Sequence, residues 1–262
     1  MAAKLPLILL PPSEGKASGG DGTPWTPGSM AIDLDERRVD VLAALAPAMC
    51  RPEASRAALL GVKGKALAAA TAVNLTAPTS PTMPAIERYT GVLYDALDHR
   101  SLSAAHRRRL EGSVVILSGL WGAVTPADPI PDYKLKMGAG LAPLGKLSSW
   151  WRDDLSACLA ACAAGRRVWN LLPAEHAAAW RAPAGLPQLS VRFLERRPDG
   201  SLTAVSHWNK FLKGALVRFL LAHPGAGPEE LAGWDHPSGY RLDPSLDEVR
   251  GGLRILSLVQ TD

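Results

Sequence analysis

Residues 116–138 read ILSGLWGAVTPADPIPDYKLKMG, and this stretch decides the fold class. The apolar run Ser113-Val114-Val115-Ile116-Leu117 has the character of a buried strand. It stops at Ser118-Gly119, and a long loop carrying Pro126, Asp128, Pro129, Pro131, Asp132, Tyr133, Lys134 and Lys136 follows. Long loops without their own secondary structure are uncommon in compact domains and usually functional. The crevice beyond the carboxyl end of a strand is the usual ligand position in α/β sheets. The prolines restrict φ, so the loop can hold Asp128, Asp132, Tyr133 and Lys134 in place at little entropic cost. A solvated structural loop is the competing reading.

Working outward, strands are expected at Leu5–Leu10, Ser113–Leu117, Arg167–Leu171, Leu189–Leu194, Leu202–Val205 and Leu253–Leu258, with Pro198-Asp199-Gly200-Ser201 closing a hairpin. Helices are expected at Leu34–Met49, capped by Asp33. Others are expected at Gly145–Ala164, with Leu147, Trp151, Leu155, Cys158 and Cys162 on one face, and at Ser206–Ala222, with Trp208, Phe211, Ala215, Phe219 and Ala222 on one face. Strands alternate with helices and a late hairpin follows, which predicts a mixed α/β (α+β) sheet flanked by helices. One domain over residues 1–262 is expected, carrying a helical insertion at about 52–99.

Other segments accompany the central stretch in order: Leu9-Leu10-Pro11-Pro12-Ser13-Glu14-Gly15-Lys16, Arg88-Tyr89-Thr90-Gly91-Val92-Leu93-Tyr94, Asn170-Leu171 and Lys210-Phe211-Leu212-Lys213-Gly214. With the strand, Ser-Gly-Leu-aromatic-Gly and Pro-Asp-rich loop, the chain resembles the YaaA family of bacterial peroxide-stress proteins over essentially its whole length. The resemblance implies a mixed α/β fold unlike the common superfolds. It also implies a role in limiting peroxide damage, by binding DNA or lowering reactive iron.

The chain has 262 residues, of which 47% are hydrophobic and 21% charged, an ordinary globular composition. No apolar run is long enough to cross a bilayer, and Leu5–Leu10 reads as a first strand, so a cytoplasmic protein without a membrane partner is expected. Cys50, Cys158 and Cys162 cannot all pair. The histidines are scattered without metal-ligand spacing, and neither a metal nor a cofactor is expected. His176 and His207 read as structural. The net charge of +4 permits an anionic partner without requiring one. Arg107-Arg108-Arg109 reads first as a solvated helix face.

Ser13-Glu14-Gly15-Lys16 after the first strand can form an anion site from backbone N–H groups and an ammonium, although P-loop spacing is absent. Lys16 is the stronger candidate there. Under the resemblance the Glu14 position need not be acidic. The segment 88–94 is expected on a helix with Ile86, Thr90, Leu93 and Leu97 apolar and Gly91 in its interior. Arg88 then either grips an anion or pairs with Glu87 or Asp95.

Between Glu53–Leu60 and Lys65–Val73, Leu59-Leu60-Gly61-Val62-Lys63-Gly64-Lys65-Ala66 resembles a helix-hairpin-helix spanning about 55–74. Lys63 stands where a second glycine is usual. The resemblance implies sequence-independent binding of double-stranded DNA there, through Gly61, Lys63, Gly64 and Lys65. The family pattern also implies that Ser13, Glu14, Lys16, Arg88, Tyr89, Ser118, Lys134 and Lys210 converge on one basic cleft. If that cleft is an active site, it is expected on a surface separate from the hairpin, because it follows strand ends whereas the hairpin projects from the helical insertion. The alternative is an enzyme acting on a nucleotide or another phosphorylated or anionic small molecule. Its candidate catalytic residues are Lys16, Asp128, Asp132, Tyr133 and Lys210, with an aspartate as base and Lys16 as electrostatic stabiliser.

Overall fold

The structure is a computed structural model and describes residues 4–205, 208–236 and 238–261. Four fully buried apolar residues make the first strand, β1 (Leu7–Leu10). Such a run suits the middle of a parallel sheet, where both faces are covered. β2 (Val114–Ser118) pairs with it in parallel, Leu9 opposite Val115. β3 (Gly122–Val124) returns antiparallel to β2. β4 (Val168–Asn170) flanks β1 on the other side. Beyond it lie β5 (Gln188–Arg196), β6 (Leu202–Ala204), β7 (Tyr240–Leu242), β8 (Glu248–Arg250) and β9 (Leu253–Gln260). The order is β7-β9-β5-β4-β1-β2-β3, with β6 on β5 and β8 on β9. The inner pairs are parallel and the outer ones antiparallel, so the sheet is mixed, as the alternation of elements predicts.

The longer helices are α1 (Asp35–Met49), α2 (Glu53–Leu60), α3 (Gly64–Thr76), α4 (Val92–Leu97), α5 (Ala104–Ser113), α6 (Arg152–Ala163) and α7 (Asn209–Ala222), and short helical turns include Ala174–Ala177. Axes α2 and α3 meet at 82°. Among the described residues no single helix is long and apolar enough to cross a membrane.

Several expectations are corrected. The N-cap of α1 is Leu34, and Asp33 lies one residue outside it. The helix starting at Gly145 does not exist: Gly145–Lys146 pairs with Gly140–Leu141, and a short turn Leu147–Trp150 precedes α6. Of the predicted apolar face, Leu147, Trp151 and Leu155 are fully buried, while Cys158 and Cys162 are only partly so. On α7 the buried face is Leu212, Leu216, Val217, Leu220 and Leu221, while Trp208 is 57% exposed ahead of the helix. The proposed start at Ser206 and the histidine at 207 fall outside the described residues.

Segment 88–94 is not one helix either. Ala85–Arg88 forms a single turn, Tyr89 is extended, and α4 begins after Gly91. Gly91 has φ +97°, a region that side chains with a Cβ rarely adopt, so it breaks the helix. The break serves packing: Thr90 N donates to Gly15 O and Ala17 N to Arg88 O, so segment 15–17 pairs with 88–90.

Candidate functional site

A depression of about 70 Å³ opens beyond the carboxyl end of β1, walled by Ser13, Glu14, Lys16, Tyr133, Lys134, Lys136 and His176. Tyr133 in its wall is held in turn by the end of β2, through Ser118. Ser118 is fully buried, and its Oγ accepts from Leu120 N (3.2 Å) and Trp121 N (3.0 Å). These bonds shape the turn into β3. At Gly119 a Cβ would sit 2.7 Å from Leu135 O, so only glycine lets the returning loop lie on the strand end.

That loop, Pro131 to Met137, alternates. Pro131, Tyr133, Leu135 and Met137 are buried, while Asp132, Lys134 and Lys136 are partly exposed. It is pinned from α3, where buried Asn74 donates to Lys134 O (2.9 Å) and accepts from Lys134 N (2.8 Å).

The buried residues form a hydroxyl chain. Tyr133 Oη lies 2.7 Å from Ser118 Oγ and 2.7 Å from Tyr89 Oη. Burial pushes the Tyr133 phenol up to about 12 and that of Tyr89 well above its usual range, so both stay protonated at neutral pH.

Lys16 lies across these rings. Its Nζ is 4.1 Å from the Tyr133 ring centroid and donates to Ser13 O at 3.2 Å. Desolvation lowers its pKa to about 8, only partly opposed by the nearby Asp132 charge. At the mouth Glu14 takes Lys134 at 2.7 Å and Lys136 at 3.4 Å, and the hydrogen bond from Lys134 is the main reason its carboxyl titrates low.

The structure brings together Ser13, Glu14, Lys16, Tyr133 and Lys134, with Ser118 and Tyr89 behind them. It separates the rest. Arg88 is fully buried, and its guanidinium is spent on main-chain carbonyls: Ala17, Gly19 at 2.8 Å, Ile130 at 3.3 Å and Pro81 at 3.4 Å. Among the described residues it makes no ion pair with Glu87 or Asp95. It braces loop 17–19 against loop 130.

Asp128, 4% exposed, accepts from Ala31 N (2.8 Å) and Thr125 N (2.7 Å), so its carboxylate caps a turn and is not a free base. Asp132 stays close enough for its charge to act on Lys16. Lys210 is exposed on α7 and is not among the walls of the depression. Its neighbour Lys213 turns inward instead, donating to Leu171 O at 3.0 Å, with its pKa lowered to about 8 by burial.

Lys136 and His176 were missed as site residues. The outward half of the Asp132-Tyr133-Lys134-Leu135-Lys136 alternation is the signal that marks Lys136. His176 gives none in sequence, because helix-bound residue 176 reaches the depression only through the fold. Its Nδ1 is buried without a hydrogen-bond partner, and burial lowers its pKa, so it is neutral at pH 7.

The hairpin residues stand next to this site. Gly61 (φ +67°) and Gly64 (φ +55°) take left-handed conformations on either side of Val62-Lys63, and Lys63, Gly64 and Lys65 are exposed. Lys136 Nζ lies 3.3 Å from where a Cβ on Gly61 would stand. The expected separation of hairpin and cleft is therefore corrected: the turn abuts the rim of the depression.

Residues 7–246 match the family model described as peroxide stress protein YaaA. Curated relatives agree in extent. A UPF0246 protein of Streptomyces coelicolor is 40% identical over 249 residues, covering 94% of this chain and 95% of that protein. A UPF0246 protein of Corynebacterium efficiens is 34% identical over 83% of this chain and 86% of its own length. One from Cereibacter sphaeroides is 35% identical over 63% and 65% respectively.

Proposed function

The chain belongs to the peroxide stress protein YaaA family, and on that premise we propose that this peroxide-stress-associated protein holds double-stranded DNA by its phosphates. One lysine-rich surface serves this role, running from the α2–α3 turn to the depression beyond β1. The close approach of Lys136 Nζ to Gly61 carries the reading, because it sets the turn that bears Lys63 and Lys65 beside the lysine loop. The first amides of α3 point out of the helix without intrahelical partners and suit a phosphate oxygen. Lysines neutralise phosphates without reading base edges, so recognition is independent of sequence.

The test is a titration of two duplexes of unrelated sequence over a range of salt. Equal affinities with a steep negative salt slope support the reading. A preference for one sequence, or affinity indifferent to salt, refutes it. Lys63→Glu with Lys65→Glu should lower affinity more than about tenfold, since each removes and reverses a phosphate contact.

A second reading, an enzyme for a phosphorylated small molecule, is favoured by Lys16, which is enclosed on tyrosine rings in a way that duplex binding alone does not need. Thermal shift with nucleotides and sugar phosphates separates the two.

A further inference from the structure

Lys16 is built differently from the rim lysines. Lys134 and Lys136 are ion-paired to Glu14, whereas Lys16 makes no ion pair among the described residues. Lys16 lines the depression, and its amine donates to Ser13 O and lies over the Tyr133 ring. The charged groups around it are Asp132 and Glu14, which favour the ammonium, and Lys134 and Arg88, which disfavour it. Glu175 and His176 also line the depression.

We propose that Lys16 Nζ is a nucleophile that captures an aldehyde carried next to a phosphate, forming an imine in the depression. The amine nitrogen attacks the carbonyl carbon, the C–N bond forms, and the carbinolamine loses its oxygen as water while nitrogen gives up its protons. No oxidant or reductant is consumed. Lys134 and Lys136 at the mouth hold the phosphate. A substantial fraction of neutral amine near physiological pH makes the attack feasible, since burial brings this lysine to about 8.

The small volume admits a short carbonyl chain and leaves any larger body outside. Two sources offer that chemistry: a free sugar phosphate, or the ring-opened deoxyribose of an abasic site in DNA. Only the second rests on the DNA reading above.

The full chain is incubated separately with glycolaldehyde phosphate and with a duplex containing one abasic site, each with cyanoborohydride, and adducts are mapped by peptide mass spectrometry. The expected result is an adduct on Lys16 in at least one arm, forming faster as pH rises through about 8. Lys213 is an internal control, because burial lowers it equally but its amine is tied to Leu171 O. It should remain unmodified. Lys16→Arg, which keeps the charge but cannot form the imine, should remove the adduct.

An adduct only with glycolaldehyde phosphate assigns a free sugar phosphate, and one with the abasic duplex assigns DNA. No adduct on Lys16 in either arm, or equal labelling of Lys213 and rim lysines, overturns the proposal. Titration of intact duplex on the same preparation is read separately, so loss of the DNA reading leaves the glycolaldehyde arm standing.

Discussion

Arg88 and Asp128 show how the same side chains serve as braces or as ligand contacts depending on what surrounds them. Both look like site residues in sequence, and both prove to be satisfied internally by main-chain groups. Sequence cannot tell the two cases apart, because the deciding partners, Ala17, Gly19, Ile130 and Ala31, come from distant segments. A buried charge stripped of its partners is costly, and so are carbonyls left without a donor. Arg88→Met should therefore destabilise the protein by about 3 kcal/mol in urea unfolding. An unchanged midpoint would show that the carbonyls find other donors.

Lys16 makes a prediction in pH. Its folded pKa is depressed to about 8 from 10.5, so the folded chain binds fewer protons than the unfolded one between those values. The cost of burying its charge is fully present below pH 8 and is relieved as pH rises through that window. Anion affinity should move the opposite way, weakening above about pH 8 as the ammonium is lost. Sulfate or nucleotide titrations from pH 6.5 to 9.5 measure this, and affinity that is flat across the range would remove Lys16 from the anion site.

At the scale of elements, the central strands were legible because buried parallel strands are continuous apolar runs, and Leu7–Leu10 and Val114–Ser118 are such runs. The short strands Gly122–Val124, Tyr240–Leu242 and Glu248–Arg250 were not, since three residues carry no period and their pairing comes from neighbours. The helix assigned across 88–94 failed for a related reason. Gly91 reads as a mild penalty in a helix, but here its φ ends one. The α2–α3 pair was readable from its Gly-Lys turn, yet its contact with the lysine loop was not, because it depends on Asn74 holding Lys134 at both main-chain atoms. Asn74→Ala removes both bonds and leaves buried main-chain groups unpaired, at about 1–3 kcal/mol. It should also release the loop, seen as faster amide exchange at Lys134. Protection unchanged there would mean that the packing of Tyr133 and Leu135 alone holds the segment.

For the whole molecule, the carboxyl ends of the parallel strands β1 and β2 meet the returning loop, and the helical pair packs on that loop. Five of the seven wall residues could be read from sequence: Ser13, Glu14, Lys16, Tyr133 and Lys134 all follow strand ends or sit in the loop. Lys210 was misplaced by helix register, since Lys213 takes the inward position on α7.

The central claim is that hairpin and depression form one DNA-binding surface. It is tested most directly by titrating one duplex into the wild-type chain, Lys65→Glu and Lys136→Glu over a series of salt concentrations. The account predicts that both substitutions weaken binding and that each makes the slope of log affinity against log salt shallower by about 0.9. Loss with Lys65→Glu alone would confine DNA to the hairpin, and loss with neither would contradict the account outright.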